Sequence, residues 1–288
     1  MKLVRYGPPG KEKPGLIDAD GKLRDLSRKV RDIDPSMLSD AALATLRKLD
    51  VRRLPLVKGR PRLGACVTGS GKFVAIGLNF IDHAKETGSP IPEHPIVFFK
   101  TTNCIQGPND PVMAPKGSTQ LDYEVELGIV IGRRARNVDE KSALKHVAGY
   151  CLMNDVSERH FQLKIGGGQW SKGKGCDTFG PIGPWLVTRD EIGDPQNLGM
   201  WLDVNGVRGM ATAEPRGADS YWLRLALDTT IYSRMYNGKL SVANPDSNEP
   251  FSIPVSYDPM DPKGFLPAGQ SYVPAIISGL LFLAGMTC

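Results

Sequence analysis

The sequence lacks the features that identify several classes of protein. Its 5 cysteines are widely spaced and include no Cys-x-x-Cys pair, which argues against a disulfide framework or a structural zinc site and favours a reducing compartment. The first residues contain no signal-peptide core, and the apolar run at 275–286 is too short to span a bilayer. We therefore expect a cytoplasmic protein without a membrane partner.

Neither sign of charge dominates. The chain has 36 basic and 31 acidic residues, which gives a formal net charge of +5. The densest basic cluster, between residues 47 and 62, contains no aromatic side chain on which a nucleic-acid base could stack. We interpret this cluster as a solvated linker and expect no nucleic-acid partner.

Glycine and proline are abundant, with 32 and 23 residues. They separate many short strand-like segments, a pattern that favours a mixed, β-rich α+β fold over a regular alternation of strands and helices. Residues 1–70 are predicted to form a small β-rich domain that includes a helix at 40–47. The second domain is predicted to begin with an apolar strand near Lys72 and to occupy residues 71–288, a division that suits the chain length.

Three acidic residues form the first candidate site. Glu124 and Glu126 lie in the segment 121–131, where polar and apolar residues alternate as in a strand. Side chains two apart on a strand point to the same face, and adjacent carboxylates repel unless water or a cation separates them. Asp155 follows another apolar run at 147–153. Two neighbouring strands could thus surround one Mg²⁺ or Mn²⁺ ion with carboxylates.

The same acids also fit a structural interpretation. Glu124 and Glu126 could form the solvated face of a surface strand. Asp155 could cap a helix, because residues 155–158 fit a relaxed capping box. On that helix Asp155, Arg159 and Gln162 would line one face, where the Arg and Gln could hold an anionic or keto substrate. The alternative is an ordinary ion pair between Asp155 and Arg159.

His83 is one of only four histidines. A short helix is predicted over residues 80–87, with Asn79 as its N-cap and Gly88 at its end. His83 and Glu86 would share one face, so that the carboxylate could fix the imidazole tautomer and make it a better base. The alternative is a pair of surface side chains.

A glycine-rich segment follows at 166–181. Residues 168–174 match a phosphate-binding P-loop up to its lysine, but Gly175 replaces the Ser or Thr that would bind magnesium. A nucleotide-binding module is therefore the weaker interpretation. We interpret the segment as a mobile loop that delivers Lys174 to a pocket, with a flexible surface loop as the alternative.

Together these segments resemble the fumarylacetoacetate hydrolase family. The motifs at residues 77–86, 122–127, 154–159 and 172–184 follow the order and spacing of that family. The segment 1–70 is similar to the small domain that many bacterial members carry.

The resemblance implies a β-roll catalytic domain with Mg²⁺ or Mn²⁺, usually in a homodimer. The implied reaction is hydrolysis of a C–C bond in a β-diketo acid, such as an acylpyruvate, fumarylacetoacetate or a sugar-derived 2,4-diketo acid. The implied residues are metal ligands Glu124, Glu126 and Asp155, catalytic His83, Glu86 and Lys174, and substrate-binding Arg159 and Gln162. Water held by the His–Glu pair would attack the distal carbonyl, and the lysine would stabilise the oxyanion or protonate the new carbanion.

The last third of the chain departs from the family. Its Thr-Gly-Thr-Pro-x-Gly loop and its later strands have no counterpart, and the resemblance fades after Arg208. A reading-frame change near residue 209 and genuine divergence both explain this tail. Three other functions stay open: an isomerase or decarboxylase of hydroxymuconate type, a lyase of ureidoglycolate type, and a catalytically inactive relative.

Overall fold

The computed structural model describes residues 1–86, 88–198 and 200, together with the backbone of five short strands beyond them. The helices are α1 (Asp40–Arg47), α2 (Ile81–Glu86), α3 (Glu140–Ala143), α4 (Arg159–Leu163) and α5 (Trp170–Lys174). The strands are β1 (Lys2–Tyr6), β2 (Lys13–Ile17), β3 (Leu23–Asp25), β4 (Lys72–Gly77), β5 (Ile96–Phe99), β6 (Ile105–Gln106), β7 (Val112–Met113), β8 (Leu121–Asp122), β9 (Val125–Ile131), β10 (Val147–Asn154), β11 (Ser157–Glu158), β12 (Gly180–Thr188), β13 (Leu202–Val204), β14 (Val207–Gly209), β15 (Ser241–Ala243), β16 (Pro250–Ser252) and β17 (Leu280–Ala284). No helix among the described residues is long and apolar enough to cross a membrane.

A ten-stranded sheet organises the described chain, in the order β3-β2-β1-β12-β10-β9-β17-β4-β5, with β6 paired to β12. Strand β10 is buried at every position because both faces of the sheet are covered. Its side chains alternate between two hydrophobic clusters: Cys151 and Met153 pack in one, and Tyr150 and Leu152 pack in the other. The two clusters therefore lie on opposite faces of one sheet.

The N-terminal residues extend this sheet. Strand β1 pairs antiparallel with β12, with Leu3 opposite Leu186. Helix α1 has the predicted bounds, begins after Ser39 as its N-cap, and buries Leu43 and Leu46 in the larger cluster. The boundary near residue 70 stays a prediction, and the strands on either side of it share hydrogen bonds.

The interpretation of the basic cluster as a solvated linker is wrong for Arg62, whereas Arg47 is exposed and forms a surface ion pair. The Arg62 guanidinium is half-buried and donates to a Glu12 carboxylate oxygen at 2.9 Å and to Asp110 Oδ1 at 2.6 Å. Arg47 Nε donates to Asp190 Oδ2 at 3.0 Å. These acceptors are distant in sequence, so the local pattern of basic residues could not indicate them.

Part of the apolar run near the C-terminus also enters the sheet. Strand β17 pairs parallel with β9 and antiparallel with β4. The remainder of that run and most of the predicted atypical tail lie outside the described residues. Whether the tail reflects a frame change or divergence stays a prediction.

Candidate metal and active site

The three predicted metal ligands converge at one end of the β9–β10 pair. One carboxylate oxygen from each of Glu124, Glu126 and Asp155 lies within 4.8 Å of the others. All three residues are at most 1% exposed, so the interpretation as a solvated strand face is wrong. Because buried carboxylates are costly unless cations compensate them, this arrangement can hold a hard metal ion.

The sheet register explains the convergence. Strands β9 and β10 run antiparallel, with Glu126 opposite Met153 and Val125 opposite Asn154. The residues just before β9 and just after β10 therefore meet. The backbone N–H of Asp155 donates to the carbonyl of Glu124 at 2.9 Å, which fixes the two chain segments against each other.

The prediction of one strand across 121–131 is wrong in its middle. Strand β8 ends at Asp122 and pairs with β11, whereas β9 begins at Val125. In the break, Asp122 Oδ1 accepts a hydrogen bond from the Tyr123 backbone N–H at 2.9 Å. The Glu124 N–H donates to Asn154 Oδ1 at 3.1 Å. These side chains replace the strand hydrogen bonds, and this turn presents Glu124 to the cluster.

The helix predicted from Asp155 begins later. Helix α4 starts at Arg159, and its N-cap is Glu158, whose side chain accepts from the His160 N–H at 3.0 Å. Asp155 lies between β10 and β11 and outside the helix, and neither the capping box nor the i, i+4 ion pair forms. Arg159 instead donates from Nε to Asp122 Oδ2 at 2.9 Å and also contacts Glu124.

Arg159 and Gln162 nevertheless lie beside the acidic cluster. Arg159 Nη1 donates to Gln162 Oε1 at 2.9 Å, and the Gln162 side chain is almost fully buried. The guanidinium is thus held on two sides, by carboxylates and by an amide. Burial opposes its charge, but Glu124 and Asp122 raise the pKa of Arg159.

Lys174 reaches the cluster from a helix and not from a loop, which corrects the interpretation of 166–181 as a mobile loop. Two glycines with positive φ, Gly167 and Gly168, precede α5, and Lys174 is its last residue. Its fully buried Nζ donates to Glu124 Oε2 at 2.7 Å, Asp155 Oδ2 at 3.0 Å and Ser157 Oγ at 2.8 Å. These contacts place Lys174 beside the acidic residues, and its catalytic role stays a prediction.

Burial and nearby cations shift the pKa values of the cluster in different directions. Burial raises the pKa of Glu124, although Lys174 and Arg159 oppose it. Burial acts the same way on Asp155, but Lys100 and Lys174 outweigh it and lower its pKa. Burial would lower the pKa of Lys174, yet Asp155 and Glu124 raise it overall. Lys174 is therefore an ammonium group at neutral pH.

His83 is buried on α2, with 5% of its surface exposed, so the interpretation as a surface histidine is wrong. Helix α2 begins one residue later than predicted and ends one residue earlier, and Gly88 has φ of +63°. The side chain of Glu86 lies outside the described residues. The pairing of His83 with Glu86 therefore stays a prediction.

Two further residues contact the site, and sequence reasoning missed both. Lys100, fully buried at the end of β5, forms an ion pair with Asp155. Asp122, also buried, pairs with Arg159. Asp122 was detectable, because it continues the two-residue alternation of Glu124 and Glu126. Lys100 follows an apolar strand as its first charged residue, a weaker indication.

Comparisons with known proteins identify the family. Residues 72–222 match the family model of the fumarylacetoacetate (FAA) hydrolase C-terminal domain. A Burkholderia multivorans protein, described in general terms as a hydrolase, is 62% identical over 208 residues, which are 72% of this chain and 73% of that protein. The chain belongs to the fumarylacetoacetate hydrolase family. All the residues predicted for the site lie within the matched range, and residues 223–288 lie beyond it.

Solved structures extend the comparison. A 5-carboxymethyl-2-hydroxymuconate delta-isomerase from Mycobacterium smegmatis is 30% identical, with 74% of each chain covered and a TM-score of 0.53. A maleylpyruvate hydrolase from Sphingobium sp. SYK-6, in complex with manganese(II) and pyruvate, is 24% identical and has a TM-score of 0.60. The alignment covers 74% of this chain and 76% of the Sphingobium chain. The predicted mixed α+β fold of the fumarylacetoacetate hydrolase family is confirmed.

The approach of α5 to α4 requires glycine at position 173. A Cβ atom there would lie 2.5 Å from the backbone N of Gln162 and the backbone O of Glu158. We expect Gly173→Ala to lower the free energy of unfolding by about 1–3 kcal/mol and to reduce activity, because it displaces the helix that carries Lys174. Urea unfolding and turnover measure the two effects.

Gly193→Ala is the matched control, since a Cβ there meets nothing within 4 Å. It should leave stability and turnover near the wild-type values. Equal stability of the Gly173 and Gly193 variants would contradict the close packing of α4 and α5.

Proposed function

We propose that the protein is a cytoplasmic, metal-dependent hydrolase that cleaves a C–C bond of a β-diketo acid, such as an acylpyruvate. One observation carries the proposal: three buried carboxylates converge beside a buried lysine and a fixed arginine. A structural role alone does not require so many ionised groups to be buried together, because apolar residues would fill the same space at lower cost.

The donor set fits magnesium or manganese. Glu124, Glu126 and Asp155 offer only oxygen atoms, which these hard cations prefer over softer metals. These three residues would hold the ion, which when bound would polarise substrate oxygens and stabilise developing negative charge. The manganese and pyruvate in the Sphingobium structure support this assignment.

The charge of the site favours an anionic substrate. The described cluster contains the carboxylates of Asp122, Glu124, Glu126 and Asp155, and the cations of Lys100, Arg159 and Lys174. The carboxylates exceed the cations by one, so a divalent ion would leave a net positive charge. A substrate carboxylate would compensate it, as a diketo acid provides.

The protein side chains divide the remaining work. Arg159, oriented by Asp122 and Gln162, would bind the substrate carboxylate. His83, with Glu86, would take a proton from water as the oxygen adds to the distal carbonyl. Cleavage of the C–C bond then leaves a carboxylic acid and the enolate of pyruvate. Lys174 would donate the proton that converts the enolate carbon to a methyl group.

Glu124→Gln tests the metal-dependent hydrolysis. It keeps the size of the side chain but removes one negative ligand, so we expect turnover to fall by about 100-fold or more. Loss of acylpyruvate absorbance in the presence of Mg²⁺ or Mn²⁺ measures turnover, and a lactate dehydrogenase assay measures released pyruvate.

The control is Glu140→Gln, an exposed acid in the first turn of α3, which should retain full activity. Wild-type protein that releases no pyruvate from a panel of acylpyruvates, with either metal, would contradict the hydrolase proposal.

An isomerase is the second candidate, and the Mycobacterium smegmatis structure favours it. Isomerisation uses the same enolate but needs no water at a distal carbonyl. A hydroxymuconate-type substrate whose absorbance changes without release of pyruvate or CO₂ identifies an isomerase. Release of CO₂ would identify a decarboxylase, and release of urea from ureidoglycolate would identify a lyase.

We also propose a homodimer. Strand β5 is the last strand in the order of the described sheet, and its Val97 and Phe99 project from one face, each 54% exposed. An exposed apolar strand at the edge of a sheet favours association with another chain.

Val97→Glu should shift the protein toward monomer in light scattering, whereas Leu144→Glu, at a 55% exposed residue elsewhere, should not. A wild-type monomer at micromolar concentration would contradict this prediction.

A further inference from the structure

Lys100 occupies an unusual position for a lysine. It directly follows β5, and its backbone N–H donates to the carbonyl of Phe73 at 3.0 Å. Its side chain is completely buried. The Nζ atom donates to Asp155 Oδ1, to the carbonyl of Val156 at 3.1 Å and to the carbonyl of Lys174. Burying an ammonium group is costly, so these contacts must compensate a large loss of hydration.

These three acceptors match the three N–H donors of the ammonium group. The contacts join the end of β5, the chain after β10, and the last residue of α5. Within the described chain, these protein acceptors hold the Lys100 ammonium group in place. Its only contact with a predicted metal ligand is the one to Asp155, which restricts its effect on the site to that carboxylate.

Lys100 and Lys174 bind opposite oxygens of the same carboxylate. Lys100 takes Asp155 Oδ1, whereas Lys174 Nζ lies 3.0 Å from Oδ2 and 2.7 Å from Glu124 Oε2. The two lysine contacts thus fix the orientation of the Asp155 carboxylate. Because Lys100 Nζ also binds the Lys174 carbonyl, it fixes α5 relative to that carboxylate.

We propose that Lys100 is a positioning residue that orients Asp155 for a divalent metal ion. The inference rests on the metal site of the proposed function. Lys100 holds Asp155 Oδ1 in place, which directs Oδ2, the oxygen that Lys174 Nζ contacts, toward the site of the ion. Hydrogen-bond partners of metal ligands commonly contribute about 10- to 100-fold to metal affinity.

The sign of the effect separates positioning from simple electrostatics. If Lys100 acted only through its positive charge, removing it would strengthen the binding of a cation. If it orients Asp155, removing it weakens binding despite the lost repulsion. Lys100→Met keeps most of the side-chain volume and removes both the charge and the donors, so it tests these opposite outcomes.

Manganese affinity provides the measurement, by the electron paramagnetic resonance signal of free Mn²⁺ in titrations of the full chain. We expect Lys100→Met to raise the Kd for Mn²⁺ by about 10- to 100-fold. In Lys100→Ala, added propylammonium replaces the missing atoms and should lower the Kd again, because the cavity can accept a matching amine.

Arg62→Gln is the matched control. It removes partly buried ion pairs with Glu12 and Asp110, away from the cluster, and should lower thermal stability without changing the Kd. This separates a local effect on Asp155 from general destabilisation.

Two results would overturn different claims. Wild-type protein that does not bind Mn²⁺ would overturn the proposed metal-dependent function. Wild-type protein that binds Mn²⁺, combined with an unchanged or lower Kd in both Lys100 variants, would overturn the positioning role alone.

Discussion

The burial of several carboxylates at one end of a strand pair is the constraint on which the site depends. Glu124, Glu126 and Asp155 are almost without solvent contact, and Glu124 and Asp155 accept hydrogen bonds from buried lysines. Their mutual repulsion would destabilise the fold if these cations were absent. Lys174 and Lys100 are therefore as much a part of the folded structure as of the candidate chemistry. This dual role explains why both lysines are held by several acceptors and not by one carboxylate each.

The backbone geometry fixes the positions of these side chains. The antiparallel register of β9 and β10 brings together the residues that flank the two strands. A hydrogen bond from the Asp155 backbone N–H to the Glu124 carbonyl holds these residues together. Helix α5 approaches α4 closely enough that only glycine fits at position 173. Lys174, one residue later, consequently reaches the cluster from a short, fixed helix. Such preorganisation avoids the entropic cost of ordering a loop around a substrate.

The sequence indicated the strands and the acidic residues, because alternation and apolar runs are local properties. It also indicated α1, whose cap and apolar spacing lie within a few residues. It misplaced the start of α4, because Asp155 resembles a helix cap until its distant partners Lys100 and Lys174 are known. The break before β9 was missed for the same reason, since Asn154 replaces a strand hydrogen bond there. Partners remote in the chain leave no periodic pattern, so Lys100 emerged only from the structure.

The C-terminal tail bears on His83 more than on the carboxylates. Strand β17 lies between β9, which carries Glu126, and β4, which leads to α2 and His83. Its Leu280 is in register with Leu127 on one side and with Ile76 on the other. One intervening strand sets β4 and β9 about 10 Å apart. The backbone positions of the carboxylates follow from the β9–β10 pair, whereas this inserted strand separates them from β4 and β5, which precede His83 and Lys100. A different strand at this position would therefore leave the carboxylates together but change the distances at which His83 and Lys100 are held from them.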